Sequence, residues 1–263
     1  MSADAAAAVF VPDGDLLVPT VHARGPWDAQ SMHGGGPTAL LARAIEALEA
    51  PAPMRIARLA VEFPCAVPME PVAATAAITR PGRRLALAEA SLATADGTPV
   101  LRANATLLRR APVAIPDSAR IDDVPAPGPE HAEPVTWSGA GEDHGFHLSA
   151  TEIVVARTNG TARLGWFRFR MPLVAGEDPT PLQRAVAFAD FGNGISRALS
   201  FETHLFVNTD LTVHLHREPA TEWIGLDART DFGAEGSGQA TTVLLDERGR
   251  IGTGAQSLYV DER

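Results

Sequence analysis

Between Arg58 and Arg110 the apolar positions fall into four short runs, Arg58 to Phe63, Val72 to Thr79, Leu85 to Thr94 and Val100 to Leu108. Each is apolar throughout or alternates with polar residues, the pattern of an extended chain with a buried face, so the spacing predicts strands. Pro68, Pro81-Gly82 and Asp96-Gly97 separate them, the last a favoured hairpin dipeptide. Ahead of these runs the period changes. In Thr38 to Glu49, Leu41, Ile45 and Leu48 are spaced by four and then three residues, which predicts a helix. Pro37 suits its first position, where a missing N–H would have had no partner anyway. Leu16 to Arg24 reads as a leading strand. The helix is rich in alanine and carries one apolar stripe, so it buries best against a sheet face, giving an α+β unit.

The second half shows the same order. Thr151 to Arg157 and Arg163 to Met171 read as strands joined at Asn159-Gly160, another hairpin signal. Leu164 and Trp166 share one face of the latter run until Arg168, while Phe167 and Phe169 take the other, so both faces are expected to be partly covered. Pro179 to Leu199 reads as a helix interrupted by Gly192 and Gly194. Strands follow at Asp210 to His216, Trp223 to Thr230, Gly238 to Leu245 and Ile251 to Val260.

The two halves also share a register. Leu59 and Leu211, Gly97 and Gly249, and Asn104 and Gln256 are each 152 positions apart. The same offset sets Asp190 opposite Thr38, so only the second half carries an acid there, and Asn208 falls opposite Ile56. Between the halves, Ala111 to Thr136 contains Pro112, Pro116, Pro125, Pro127, Pro129 and Pro134, which predicts an extended connection. The expected plan is a unit over 1–110, a proline-rich linker over 111–136 and a second unit over 137–263.

Composition narrows the field of functions. Of 263 residues, 45% are hydrophobic and 21% charged, enough to bury a substantial core. A net charge of −10 argues against broad capture of nucleic acid or an anionic membrane. The single cysteine, Cys65, cannot form an internal disulfide and reads as a small core residue. The N-terminal stretch lacks the features of a secretory signal, and no apolar run approaches the ~20 residues of a membrane span. These features together predict a soluble cytoplasmic protein.

Three segments carry a resemblance: Ala189-Asp190-Phe-Gly192-Asn193-Gly194-Ile-Ser196, Asn208-Thr209-Asp210-Leu211-Thr212-Val213-His-Leu-His216-Arg217, and Gly254-Ala255-Gln256. With Gly34-Gly-Gly-Pro-Thr-Ala-Leu-Leu-Ala-Arg43-Ala and Arg80-Pro-Gly-Arg83-Arg84, they are similar in order and spacing to acyl-CoA thioesterases of the double hotdog type, relatives of the bacterial type II enzymes. The resemblance covers nearly the whole chain outside the linker. It implies a tandem hotdog, each unit a helix on a curved antiparallel sheet. It also implies hydrolysis of a fatty acyl-CoA, within lipid metabolism, by an aspartate, a hydroxyl or amide residue and a glutamine that activate water.

Asp190 matches the aspartate and Gln256 the glutamine. Where relatives have threonine this chain has Asn208, with Thr209 beside it. Adjacent strand residues face opposite sides, so Thr209 substitutes only through a bulge or a one-residue change of register. A carboxylate can take a proton from water, and amides can orient that water. Gly192 would let backbone N–H groups approach the oxyanion. Gly34 and Gly35 would shape the acyl or pantetheine path, and Arg80, Arg83 and Arg84 would meet the phosphates of CoA. Arg217 is a further cation of that kind. Gly34-Gly-Gly is not a phosphate loop, because the accompanying lysine is missing.

Other roles were open to these residues. Asp190 alone would serve as well in an ion pair with Arg197; its company with Asn208 and Gln256 singles it out. His214 and His216 share a strand face and, with His144 and His147, offer nitrogen donors, but spacing fixes no third ligand, so no metal and no prosthetic group is expected. The departure at Asn208 supports a second reading, a non-catalytic acyl or acyl-CoA binding protein. A hotdog hydratase would need a histidine in the Asp190 segment, which has none. Tandem units supply their own pairing, so either a monomer or a homo-oligomer is compatible with this plan.

Overall fold

Strands β1 (Phe10–Asp13), β2 (Leu16–Pro19), β3 (Met54–Glu62), β4 (Val72–Arg80), β5 (Leu85–Thr94) and β6 (Pro99–Arg109) lie in the N-terminal half. The connection contributes β7 (Glu133–Pro134). The C-terminal half supplies β8 (Thr151–Asn159), β9 (Ala162–Phe169), β10 (His204–Asn208), β11 (Asp210–Leu215), β12 (Ile224–Phe232), β13 (Ser237–Asp246) and β14 (Gly249–Glu262). All join one sheet in the order β1-β2-β4-β5-β6-β3-β11-β14-β13-β12-β9-β8-β7, with β10 also paired to β14. Every pairing between these strands is antiparallel. These coordinates are a computed structural model that describes residues 8–119, 126–135, 144–159, 162–196 and 199–263.

At the seam between the halves, β3 pairs with β11 so that Leu59 faces Val213 and Val61 faces Leu211. Exchanging each residue for its counterpart 152 positions away turns one pair into the other, so the seam reads the same from either side. The offset does not hold as far as β14. Asn104 pairs with Ala60, whereas Ala60's counterpart Thr212 pairs with Ala255. Gln256 therefore corresponds to Ala105, not to Asn104, and burial agrees: Gln256 and Ala105 face inward while Asn104 is exposed. The turn between β5 and β6 has three residues between Thr94 and Thr98, and the turn between β13 and β14 only two between Asp246 and Gly249, which moves the register by one.

Helix α1 (Gly35–Glu46) starts earlier than the sequence predicts, with Gly34 at its N-cap. Its side-chain-free first turn allows deep burial: a Cβ on Gly35 would stand 2.3 Å from the Ala187 carbonyl oxygen. That approach packs α1 onto α2 (Pro181–Ala189). Thr180 and Gln183 form a reciprocal capping box at the α2 N-terminus, with Pro181 in the first turn. Leu40, Leu41, Ile45, Val186 and Phe188 are buried in one core with inward residues from both halves of the sheet.

Three local predictions change. Leu16 to Arg24 is a strand only as far as Pro19; Thr20 then accepts a hydrogen bond from the His22 N–H and caps a 3₁₀ turn at Val21–Ala23. The predicted helix from Pro179 ends at Ala189, and a short α3 (Gly192–Ser196) follows. β10 had no clear alternation, since only Phe206 of its five residues is buried.

The covering of both faces near Trp166 holds. Phe167 joins the main core, while Leu164 and Trp166 form a second cluster with Val154 and Leu245. Ala126 and Ala132 of the connection pack there, and the Trp166 indole N–H donates to the Pro127 carbonyl at 2.9 Å. Gly160 of the Asn159-Gly160 turn lies outside the described residues, as do residues 120–125 and 136 of the connection. Among the described residues no helix is long and apolar enough to cross a membrane.

Candidate active site

The break between α2 and α3 sets the site. The Gln256 side chain spans it: its Nε2 donates to the Asp190 carbonyl at 3.1 Å and its Oε1 accepts the Asn193 N–H at 3.0 Å. One amide thus satisfies two backbone groups that the interrupted helix leaves without partners. Close packing needs Gly192, where a Cβ would lie 2.5 Å from Thr242 Oγ1 and 2.9 Å from Gln256 Oε1. Asp190, the C-cap of α2, is held here with 7% of its surface exposed.

Three side chains meet its carboxylate. Asn208 Nδ2 donates to Oδ1 at 2.7 Å, and Gln256 Nε2 lies 3.5 Å from the same oxygen. His33 Nδ1 is 3.0 Å from Oδ2. A Cβ on Gly34 would come within 2.9 Å of Oδ2, so the bare N-terminus of α1 faces the acid.

Asn208 ends β10, and the pairing with β14 then slips by one residue before β11. This is the register change that could have brought Thr209 to the acid. Thr209 is instead exposed, and both its N–H and its hydroxyl donate to the Ser257 carbonyl, at 2.9 and 3.3 Å. Asn208, not Thr209, touches Asp190.

A cavity of about 580 Å³ opens beside the carboxylate. Asp190, Asn208, Thr209, Gly34 and His33 line it together with Trp27, Phe63, Phe191, Phe201 and Tyr259. Cys65, expected in the core, is exposed on its wall. Gln256, Gly192 and Gly35 do not line it: the first braces Asp190 from behind, and the two glycines serve close packing of α3 and α1. The Asn193 N–H is occupied by Gln256, so the backbone around Gly192 is not the open donor that the sequence suggested.

The arginine hairpin also lies elsewhere. Arg80 ends β4 and Arg84 sits beside Arg109, at the end of the sheet where β3 begins, whereas the cavity wall at Phe63 follows the end of β3. Nine-residue strands separate the two ends by roughly 26 Å at ~3.3 Å per residue. Arg80, Arg83 and Arg84 are exposed there and do not line the cavity. Arg217 is committed to Asp246, with two guanidinium contacts at 2.5 and 2.6 Å. Arg197 lies outside the described residues.

Sequence reasoning missed His33. Its ring stacks on Phe146 at 5.0 Å and tilts against Phe191 at 4.3 Å, and the residue is 8% exposed. The only signal was its place directly before Gly34-Gly-Gly. His147, also on the cavity wall, is held well below the usual histidine range, at about 4, first by burial and then by the charge of His33. His214 lies on a separate exposed face of β11 and His144 sits edge-on to His22, so the four histidines considered as ligands are not brought together. Among the described residues no group of three or more His, Cys, Asp or Glu side chains could hold a metal ion.

Residues 119–260 match the family description of the acyl-CoA thioesterase C-terminal domain, and residues 23–108 that of the N-terminal domain. No protein of curated function matches the chain. Among solved structures, a thioesterase-like protein from Novosphingobium aromaticivorans is 24% identical, over 95% of this chain and 98% of that one, with a TM-score of 0.74. A hot dog fold protein from Alicyclobacillus acidocaldarius is 16% identical over 99% and 98%, at a TM-score of 0.72. The TesB protein of Mycobacterium avium subspecies paratuberculosis is 16% identical over 96% of each chain, at 0.67. At these identities the likeness shows the fold, a hotdog fold with a large antiparallel sheet.

Proposed function

The chain belongs to the acyl-CoA thioesterase family, a family of thioester hydrolases, and from that premise we propose that it hydrolyses a fatty acyl-CoA with Asp190 as the base. One observation carries the reading: a buried carboxylate at the end of α2, on the wall of a largely apolar cavity, held by an amide donor from β10.

In the proposed reaction a water lies between Asp190 and the thioester carbonyl carbon. Asp190 takes one proton as the water oxygen bonds to that carbon. The tetrahedral intermediate then expels the CoA thiolate and leaves the free acid, and the proton held by Asp190 passes to the departed thiolate, which restores the carboxylate. A thiolate leaves without protonation, so no covalent enzyme intermediate is needed. Asn208 donates to Asp190 and has its own carbonyl oxygen to accept from the water. Gln256 positions Asp190 by bracing the helix break. In this reading the oxyanion is received at the start of α1, where Gly34 lines the cavity and the positive end of the helix faces it.

We read the architecture as a double hotdog, with units over 1–110 and 137–263 and a linker over 111–136; the exchange-symmetric seam of β3 and β11 supports this. The acid occurs in the second unit alone, while His33 and Gly34 of the first complete its surroundings. The test is hydrolysis of acyl-CoAs of several chain lengths by wild type and Asp190→Asn. Turnover lost in the variant supports the reading. Acyl-CoA binding without wild-type turnover would instead make the protein an acyl-CoA carrier.

A further inference from the structure

We propose that His33 is a positioning residue for this hydrolysis, holding the Asp190 carboxylate through a proton shared between Nδ1 and Oδ2; the inference rests on Asp190 acting as the base. The His33 ring packs against Phe146 and Phe191, at 5.0 and 4.3 Å between centroids, and burying a polar ring among apolar groups is unfavourable unless its nitrogens find partners. A phenylalanine would satisfy packing alone. What the imidazole adds is the nitrogen set toward Asp190.

The contacts of that nitrogen constrain the proton. Nδ1 lies 3.0 Å from Asp190 Oδ2 and also 3.0 Å from the Gly35 N–H. A bare Nδ1 could accept from Gly35, but it would then meet a carboxylate oxygen lone pair to lone pair. That contact becomes attractive only with a proton on one partner or the other. With Asp190 ionised, as a base must be, the proton sits on Nδ1 and is donated to Oδ2, at the cost of Nδ1 as acceptor for the Gly35 N–H. Asn208 occupies Oδ1, with Gln256 behind it, so the open acceptor position on the carboxylate lies on Oδ2. His33 and Asn208 therefore grip the two oxygens from opposite halves of the chain and leave one lone pair for water.

Two measurements test this. In kinetics, His33→Ala should lower kcat by roughly 10²-fold, the scale of a misplaced reacting group, with KM little changed. His33→Asn, whose amide N–H can take the place of Nδ1–H, should recover most of that loss. In an Asp190→Asn background, His33→Ala should cost nothing further, because it acts through the acid. Wild-type kcat in His33→Ala, equal impairment in both His33 variants, or additive losses in the double variant would overturn the proposal.

The second measurement needs no turnover. Imidazole nitrogen NMR of the whole protein should show a protonated, hydrogen-bonded Nδ1 on His33 that changes in Asp190→Asn. A bare Nδ1, or a signal indifferent to Asp190, would overturn the proposal even if hydrolysis is observed. Absence of wild-type hydrolysis alongside the expected signal would count against the thioesterase reading alone.

Discussion

Asn208 donates from Nδ2 to Oδ1 of Asp190 across 2.7 Å, from the last residue of β10 to the C-cap of α2. An uncharged amide next to a carboxylate holds it in place without competing for its proton, so the pair suits a base that must stay both ionised and oriented. Asn208→Ala is expected to lower kcat by about 10²-fold, while thermal unfolding shifts little because Asn208 is only half-buried. Asn208→Thr keeps a donor and should fall between. Steady-state kinetics with one acyl-CoA decides it, and an unchanged kcat in Asn208→Ala would remove Asn208 from the site.

The glycines before α1 separate activity from stability. A Cβ on Gly34 would meet only side-chain atoms, Phe63 Cε1 at 2.8 Å and Asp190 Oδ2 at 2.9 Å. These can yield, so Gly34→Ala should fold and lose most of its turnover. On Gly35 the obstacle is the Ala187 backbone at 2.3 Å, and α1 would have to withdraw from α2. Gly35→Ala should therefore cost about 3 kcal/mol or more by overpacking. Gly194 has nothing within 4 Å of an added Cβ, and an alanine there should stabilise α3 by roughly 0.5–1 kcal/mol. Denaturant unfolding of the three variants would reveal the order; equal effects would contradict the packing described for α1.

Much of this was legible in the chain. Period-two runs located most of the strands, and Leu41, Ile45 and Leu48 marked α1, because each of these elements hides one regular face. Asp190, Asn208 and Gln256 could be picked out by their order, and two of them touch the third. The fixed 152-residue offset misled at Asn104, since the turn after Thr94 is one residue longer than the turn after Asp246 and so moves the register by one. β10 was invisible because its partly covered residues show no alternation. His33 was missed for another reason: its meaning comes from a contact across the whole fold, and no local pattern encodes that.

The three hairpin arginines give a prediction of no effect. Arg80, Arg83 and Arg84 stand at the opposite end of the strands from the cavity, beyond the ~10 Å over which exposed charges act in 0.1 M salt. Replacing all three with alanine should leave KM for acyl-CoA within about twofold at that salt concentration. A tenfold rise would show that CoA reaches the hairpin along a path other than the cavity described.

The cavity histidine predicts how stability responds to acid. His147 is pushed down to about 4, chiefly by burial and further by the charge of His33, with Asp190 the acid next to that neighbour. In the unfolded chain a histidine titrates near ~6.5. Between these values the unfolded state binds a proton that the folded state refuses, so stability falls as pH is lowered through this window; below about 4 both states are protonated and the loss is complete. From pH 7 to pH 4.5 the wild type should lose about 2 kcal/mol through this group. His147→Leu removes the titrating ring and keeps the site apolar, so it should lose that much less over the same range. Urea unfolding of both proteins at the two pH values provides the comparison, and parallel losses would mean that His147 accepts its proton as readily folded as unfolded.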